Sequence, residues 1–140
     1  MANRPEVLIA DEPTKALDVT IQAEILSLLN DLRQTTIADS QTGQKTGLSV
    51  LFITQDLGVV STICEKVAVM YAGQFVEFGE AKSLLESPVH PYTQAFLACT
   101  PRLGAKEKIL GGIPGKPPTP GTYPLGCGFV HRYKVASAKC

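Results

Sequence analysis

Short apolar runs that alternate with amphipathic stretches are the feature that most constrains the fold of this chain. Residues 7–10 (Val-Leu-Ile-Ala) form a continuous apolar run, which is typical of a strand buried on both faces. Residues 48–53 and 67–71 are predicted as two further strands. Asp18 can cap a helix, and the apolar residues after it recur at helical spacing: Ile21, Ile25, Leu28, Leu29 and Leu32. The order strand, helix, strand, helix, strand predicts an α/β fold with a parallel sheet and right-handed crossovers.

Weaker signals indicate the elements between and after these runs. The polar stretch 35–47 contains two glycines and indicates an exposed loop, and a short helix is predicted from about residue 56 to residue 64. Ala72-Gly73 indicates a tight turn into an edge strand at residues 74–78, where polar and apolar residues alternate. Beyond Pro101, frequent proline and glycine disfavour helix and strand, so we expect an irregular C-terminal extension that covers a surface.

Composition excludes several classes of protein. Thirteen Lys and Arg balance thirteen Asp and Glu, so bulk charge gives no support for binding to nucleic acid. With 44% hydrophobic and 19% charged residues, the chain is too apolar to be disordered and fits a buried core. No apolar stretch has membrane-spanning length, and the N-terminal residues lack the pattern of a signal peptide, so we expect a cytoplasmic location. The four cysteines form no Cys-x-x-Cys pair and are expected to be thiols.

Polar side chains follow the first two predicted strands at the point where each strand ends. Asp11 and Glu12 follow the first strand, and Gln55 and Asp56 lie just beyond the second. Ligands of open parallel sheets bind beyond the carboxyl ends of the strands. There, an Asp can hold Mg²⁺, usually through water, and a neighbouring Glu can polarise a water for attack on a phosphoryl group. The alternative is structural, because acidic residues at strand ends commonly cap the next helix.

The sequence beyond these carboxylates resembles the ATPases of ATP-binding cassette (ABC) transporters. The segment Leu-Ile-Ala-Asp-Glu-Pro-Thr-Lys-Ala-Leu-Asp at residues 8–18 resembles that family's Walker B motif and D-loop. Residues 51–56 (Leu-Phe-Ile-Thr-Gln-Asp) resemble its switch strand, and residues 69–79 the strand and hairpin that follow. Three later segments resemble the C-terminal extension of the oligopeptide and dipeptide branch: residues 88–93, 101–103 and 113–118.

This resemblance implies a fold and a set of site residues. The fold would be part of a RecA-like parallel sheet of the P-loop NTPase type, with residues 1–87 as the C-terminal half of the ATPase core and 88–140 as the extension. Asp11 would bind Mg-ATP, holding the Mg²⁺ through water, and Glu12 would be the catalytic base. Three residues would contact a second ATPase subunit: Ala16, Leu17 and Asp18. The family usually has Ser or Thr at the position of Lys15, and this difference weakens the expectation of a contact with the second ATPase subunit.

The resemblance also implies partners and a location. The complete family member binds ATP and Mg²⁺ and pairs with a second ABC ATPase subunit. It acts with membrane permease subunits and, through them, with a peptide-binding protein, and it has no nucleic-acid partner. The assembled subunit would be cytoplasmic and peripheral on the inner face of the cell membrane.

Two departures from the family pattern lower the activity that we expect. Gln55 replaces the family's switch histidine, and a glutamine amide can orient water but cannot become cationic, so we expect impaired hydrolysis. No Gly-x-x-x-x-Gly-Lys-[Ser/Thr] segment occurs in the 140 residues, nor does the family's signature motif. We therefore expect a truncated chain that does not bind ATP tightly or hydrolyse it alone. Because the family's phosphate-loop strand lies between the switch strand and the next one, we also expect marginal stability or aggregation.

The C-terminal segment contains cysteines that resemble the terminal cysteines of the peptide-transporter branch. In some members such cysteines hold an iron–sulfur cluster, which normally needs four thiolates. Only Cys127 and Cys140 match that pattern, so we expect them to be a vestige without a cluster. A helix is predicted at residues 91–98, and His90 at its start is expected to belong to the turn and not to be a metal ligand.

Three functions are compatible with these observations. The first is the ATP-hydrolysing subunit of a peptide importer, of which this chain would be a part. The second is a non-catalytic interaction fragment that docks against an ABC subunit, and the third is the remnant of a disrupted gene. The ATPase class follows from the resemblance, whereas the missing phosphate loop and Gln55 favour the second or third for the chain alone.

Overall fold

The computed structural model describes residues 5–34, 37–38, 45–100, 112–134 and 136. The chain forms two compact units, Met1–Cys64 and Glu65–Cys140. Within the described ranges, no helix has the length and apolar character required to cross a membrane. The division into segments 1–87 and 88–140 refers to the family resemblance and stays a prediction.

The first unit contains a two-stranded parallel sheet. Its elements in chain order are β1 (Val7–Asp11), α1 (Val19–Gln34), β2 (Ile37–Ala38), β3 (Lys45–Thr46), β4 (Ser49–Ile53) and α2 (Leu57–Ile63). Strand β1 pairs in parallel with β4, with Ile9 opposite Leu51, while β2 and β3 form a short antiparallel pair inside the stretch predicted as a loop. The strand–helix–strand order of the prediction is therefore confirmed for β1, α1 and β4.

Helix caps explain where the two main helices of this unit begin. The Asp18 carboxylate accepts hydrogen bonds from the backbone N–H groups of Thr20 and Ile21, both at 3.0 Å. Asp56 does the same for α2, accepting from Gly58 at 2.8 Å and Val59 at 3.4 Å. Such bonds satisfy backbone donors that have no partner inside the helix. The cap predicted at Asp18 is confirmed.

The prediction that the first strand is buried on both faces is wrong. One face of the β1–β4 pair is exposed to solvent, with exposed fractions of 60% for Val7, 64% for Ile9, 54% for Leu51 and 46% for Ile53. Both strands alternate between exposed and half-buried residues. The other face is only half-buried, whereas the strands of a parallel sheet are normally buried on both faces by elements on either side.

The second unit is built on an antiparallel hairpin. Its elements are β5 (Lys66–Tyr71), β6 (Gln74–Glu80), α3 (Ala81–Glu86), α4 (Pro91–Ala98) and a short 3₁₀ helix (Val130–Arg132). Ala72 and Gly73 form the predicted turn, with φ values of 49° and 78°. Two positive φ values match a type I′ hairpin turn. The third predicted strand, β5, therefore pairs with β6, and within the described ranges it does not join the parallel sheet.

Aromatic residues from three segments form the centre of the second unit. Phe129 is 2% exposed, and its ring lies 5.4 Å from that of Tyr71 and 5.5 Å from that of Tyr92. Arg132 holds the C-terminal segment in place, because its guanidinium donates to the carbonyls of Ile113 at 2.8 Å and Pro114 at 2.7 Å. The guanidinium also donates to the Tyr71 hydroxyl at 3.2 Å. The prediction that the irregular extension covers a surface is confirmed for residues 112–134.

Candidate active site

The candidate site lies where β1 and β4 end. Asp11, the last residue of β1, is opposite Ile53, the last residue of β4. The Glu12 N–H donates to the Ile53 carbonyl at 2.9 Å, so the pairing continues one residue beyond the strand. This places Glu12 beside the chain that leaves β4. The Gln55 amide donates from Nε2 to Glu12 Oε1 at 3.2 Å.

The direction of Gln55 follows from local capping. The backbone N–H of Asp56 donates to the Thr54 hydroxyl at 3.0 Å, and the Asp56 carboxylate caps α2. Gln22 of α1 donates from its amide to Asp56 Oδ2 at 3.3 Å. The side chains of Thr54 and Asp56 therefore both form local hydrogen bonds. The side chain of Gln55, between them, is directed toward Glu12. The two catalytic residues predicted from the family resemblance, Glu12 and Gln55, are thus in contact.

Lys15 is a member of this cluster that the sequence did not predict. Its backbone N–H donates to the Glu12 carbonyl at 3.0 Å, which closes a turn. Its ammonium forms an ion pair with Glu12 Oε2. This hydrogen bond, together with the charge of Glu12, raises the pKa of Lys15 above its ordinary value. The spacing of three residues across a turn after Pro13 is the sequence signal that could have indicated the pair.

The turn that carries these residues has unusual backbone angles. Glu12 has φ of 43° and Ala16 has φ of 61°. This left-handed region is uncommon for residues other than glycine, and such residues cluster at functional sites. Ala72 in the hairpin turn is the one other described non-glycine residue with positive φ. Two of the three such residues therefore flank the candidate catalytic turn.

Asp11 has the chemistry required for a metal ligand. Its side chain is exposed, and it takes part in no hydrogen bond or salt bridge that the described residues provide. No group of three or more His, Cys, Asp or Glu side chains converges within the described ranges. Mg²⁺ is commonly held by one or two carboxylates, with water and substrate phosphates as the other ligands. A single exposed carboxylate at the carboxyl edge of a sheet fits this mode.

The residues predicted to contact a second subunit lie directly after this turn. Ala16, Leu17 and Asp18 are all exposed, with Leu17 at 40%. The Asp18 carboxylate is occupied as the cap of α1. Exposure leaves the backbone and the Leu17 side chain accessible to another molecule, and the contact itself stays a prediction.

The predicted cysteine pair is only partly within the described residues. Cys140 lies outside them. Cys127 is half-buried, and its Sγ lies 3.6 Å from His90 Nε2. His90 caps α4, because its Nδ1 accepts a hydrogen bond from the Tyr92 N–H at 3.1 Å. The interpretation of His90 as a structural residue at the start of a helix is therefore confirmed.

A carboxylate outside the candidate site also organises the start of α4. Glu77 on β6 accepts hydrogen bonds from the N–H groups of Val89 at 2.8 Å and His90 at 3.0 Å. Burial alone would raise the pKa of Glu77, but Thr93 and these backbone donors lower it below its ordinary value. Thr93 is 1% exposed, and its hydroxyl has no partner of full hydrogen-bond geometry among the described residues. Burial lowers the pKa of His90.

Comparison with known proteins shows what this chain is similar to. Residues 76–140 match the family described as oligopeptide/dipeptide transporter, C-terminal region. The chain is 44% identical over 137 residues to the oligopeptide transport ATP-binding protein OppD of Haemophilus influenzae. The aligned region is 98% of this chain and 39% of the relative. The OppD of Escherichia coli is also 44% identical, over 98% of this chain and 38% of its own length. AppD of Bacillus subtilis is 46% identical over 136 residues, 97% of this chain and 38% of its own length.

These matches confirm the resemblance to oligopeptide ABC transporters. Residues 76–140 are similar to the C-terminal region of that transporter family, and nearly the whole chain is similar to the ATP-binding proteins of oligopeptide transport. It spans less than two fifths of the length of the curated relatives it matches.

Proposed function

We propose that this chain forms part of the ATP-hydrolysing subunit of an ABC peptide importer. The observation that carries the proposal is the contact between Glu12 and Gln55 at the carboxyl edge of the β1–β4 pair, with Asp11 beside it. The names of its relatives support the same function, since they are ATP-binding proteins of oligopeptide transport. Residues 1–87 would supply the catalytic carboxylates, and residues 88–140 the extension.

Each site residue has a defined part in phosphoryl transfer to water. Asp11 would hold Mg²⁺ through water, and the ion would neutralise charge on the phosphates. Glu12 would accept a hydrogen bond from the attacking water and take its proton. Gln55 donates to Glu12 Oε1 and would help to orient this carboxylate, but it cannot supply a positive charge. The phosphates themselves need backbone N–H groups and a lysine, which a phosphate loop provides.

The proposal includes partners, which the family resemblance implies. A second ATPase subunit would contact residues 16–18, and permease subunits would couple hydrolysis to transport. A peptide-binding protein would deliver the substrate to them. The subunit would then work at the cytoplasmic face of the membrane.

A chimaera tests the proposal. This chain would replace the matching 137 residues of Escherichia coli OppD, whose remaining length would supply the other motifs. We expect Mg²⁺-dependent ATP hydrolysis by the assembled transporter that Glu12→Gln lowers by roughly 10²-fold or more, because the general base is lost. Glu24→Gln on the exposed face of α1 is the matched control and should leave the rate unchanged.

The position of Gln55 gives a second arm of the same experiment. Gln55→His should raise the rate of hydrolysis, since an imidazole can become cationic near the phosphates. If the chimaera assembles with its permease but neither it nor the Gln55→His variant hydrolyses ATP, the catalytic proposal is wrong. That outcome would favour a non-catalytic interaction fragment.

A further inference from the structure

Both oxygens of the Glu12 carboxylate have a nitrogen partner. The Gln55 amide donates to Oε1 at 3.2 Å, and the Lys15 ammonium pairs with Oε2. The two donors come from different elements, since Gln55 follows β4 and Lys15 belongs to the turn after β1. A carboxylate with one partner on each oxygen keeps a free lone pair on each, so it can still accept a hydrogen bond from water.

The backbone of the turn sets Lys15 beside Glu12. The Lys15 N–H donates to the Glu12 carbonyl, and the Leu17 N–H donates to the Thr14 carbonyl at 3.3 Å. Thr14 is 8% exposed, which fixes the middle of the turn against the unit. Because Glu12 is itself bonded to the Ile53 carbonyl, both ends of the ion pair are attached to ordered backbone.

The side chain at position 15 departs from the family pattern that the sequence resembles. The side chain is a cation where the resemblance implies a Ser or Thr. A hydroxyl on a short side chain would lack both the reach and the charge of the ammonium. The Glu12 side chain is 30% exposed and that of Lys15 is 64% exposed, so the pair sits at the surface and leaves the carboxylate accessible to water.

We propose that Lys15 is a positioning residue that, with Gln55, holds the Glu12 carboxylate in a fixed orientation for the attacking water. The role of Glu12 as base rests on the proposed function, whereas the clamp rests on the contacts that Lys15 and Gln55 make with Glu12 in this chain. In the family pattern the histidine would contribute at position 55. Here position 55 has a neutral amide, and Lys15 supplies a cation that pairs with the other oxygen of the Glu12 carboxylate.

The clamp is tested directly in the 140-residue chain by nuclear magnetic resonance. The ¹⁵N-labelled ammonium of Lys15 should show slowed proton exchange and a signal resolved from that of the exposed Lys82. Glu12→Ala removes the acceptor and should merge the Lys15 signal with those of free lysines, while Glu24→Gln should not change it. A Lys15 signal that is the same in Glu12→Ala and in the unchanged chain overturns the proposal, with no reference to ATP hydrolysis.

The effect on the reaction is tested in the chimaera described above. Lys15→Ser should lower kcat about twofold to fivefold, the range expected for an exposed ion pair, with KM for ATP unchanged. Lys15→Arg keeps the cation and should restore most of the rate. An unchanged or raised kcat in Lys15→Ser, or a loss that Lys15→Arg does not restore, overturns the positioning role. If Glu12→Gln does not slow hydrolysis, the proposed function fails, and the magnetic resonance result still decides whether the clamp exists.

Discussion

Removing the Phe129 ring should detach the C-terminal segment from the second unit. Phe129 is 2% exposed and contacts the rings of Tyr71 and Tyr92, so Phe129→Ala leaves a cavity where two elements and the segment meet. Truncation of a buried phenylalanine typically costs about 3–5 kcal/mol. Phe75 on β6 is the matched control because it is 70% exposed, and Phe75→Ala should cost about 1 kcal/mol or less.

Tyrosine emission provides an assay that reports on the second unit alone. The chain has no tryptophan, and its four tyrosines are Tyr71, Tyr92, Tyr123 and Tyr133, all within Glu65–Cys140. With a urea m value of about 1 kcal/mol per M, Phe129→Ala should shift the midpoint of the emission transition by roughly 3 M or abolish it. The shift for Phe75→Ala should stay below about 1 M.

Two results would refute this reasoning. Equal midpoint shifts in the two variants would mean that Phe129 is not the packed centre of the unit. A large Phe129→Ala shift that leaves the backbone amides of residues 112–134 as protected from hydrogen exchange as before would mean that the ring does not hold the segment.

Three further predictions concern the caps, the pH dependence and the nucleotide. Asp56→Ala should destabilise α2 by about 0.5–2 kcal/mol, visible as faster amide exchange in Leu57–Ile63, while Asp56→Asn should keep most of the cap. The pKa values of His90 and Glu77 both lie below their ordinary values of 6.5 and 4.5, so the unfolded chain binds protons first as the pH falls. The second unit should therefore be most stable above about pH 6.5. On acidification it should lose stability first as His90 is protonated and then, below pH 4.5, as Glu77 is protonated. In urea titrations, His90→Asn should remove the first of these two losses. A fluorescent ATP analogue with Mg²⁺ should show no saturable binding to the 140 residues alone, because carboxylates repel phosphates unless backbone N–H groups bind the phosphate oxygens. Tight binding of the analogue that Asp11→Asn weakens would contradict this prediction.

Elements with a local cause were predicted well from the sequence. Helix α4 spans Pro91–Ala98, as predicted, because a proline at its first position and a capping residue before it define the start. The hairpin turn at Ala72 and Gly73 was also predicted from its own two residues. Signals of this kind involve only residues that are adjacent in the chain, so the sequence alone is sufficient to predict the element.

Features that depend on a distant partner were predicted less well. Strand β5 and its hairpin with the next strand were predicted, but β5 was also assigned to the parallel sheet, which within the described ranges it does not join, because sheet membership depends on which strand edges are available. Helix α3 (Ala81–Glu86) was not predicted, since six residues carry little periodicity. At the candidate site, the family resemblance indicated Glu12 and Gln55, but it did not indicate the contact of Glu12 with Lys15, because a turn with positive φ is needed to bring them together.

The exposed apolar face of the β1–β4 pair bears on the candidate site, because Asp11 is the last residue of β1 and Glu12 follows it. Val7, Ile9 and Leu51 have the composition of buried strands, yet in the described part of the chain no element covers them. The composition of a strand predicts that one of its faces is buried, but it does not predict which element packs against that face. Asp11 and Glu12 end this same strand, and the ladder that orients them continues to the Ile53 carbonyl. The orientation of the candidate base is therefore as stable as this strand pair, and any element that buries the open face would stabilise the strand pair and the site together.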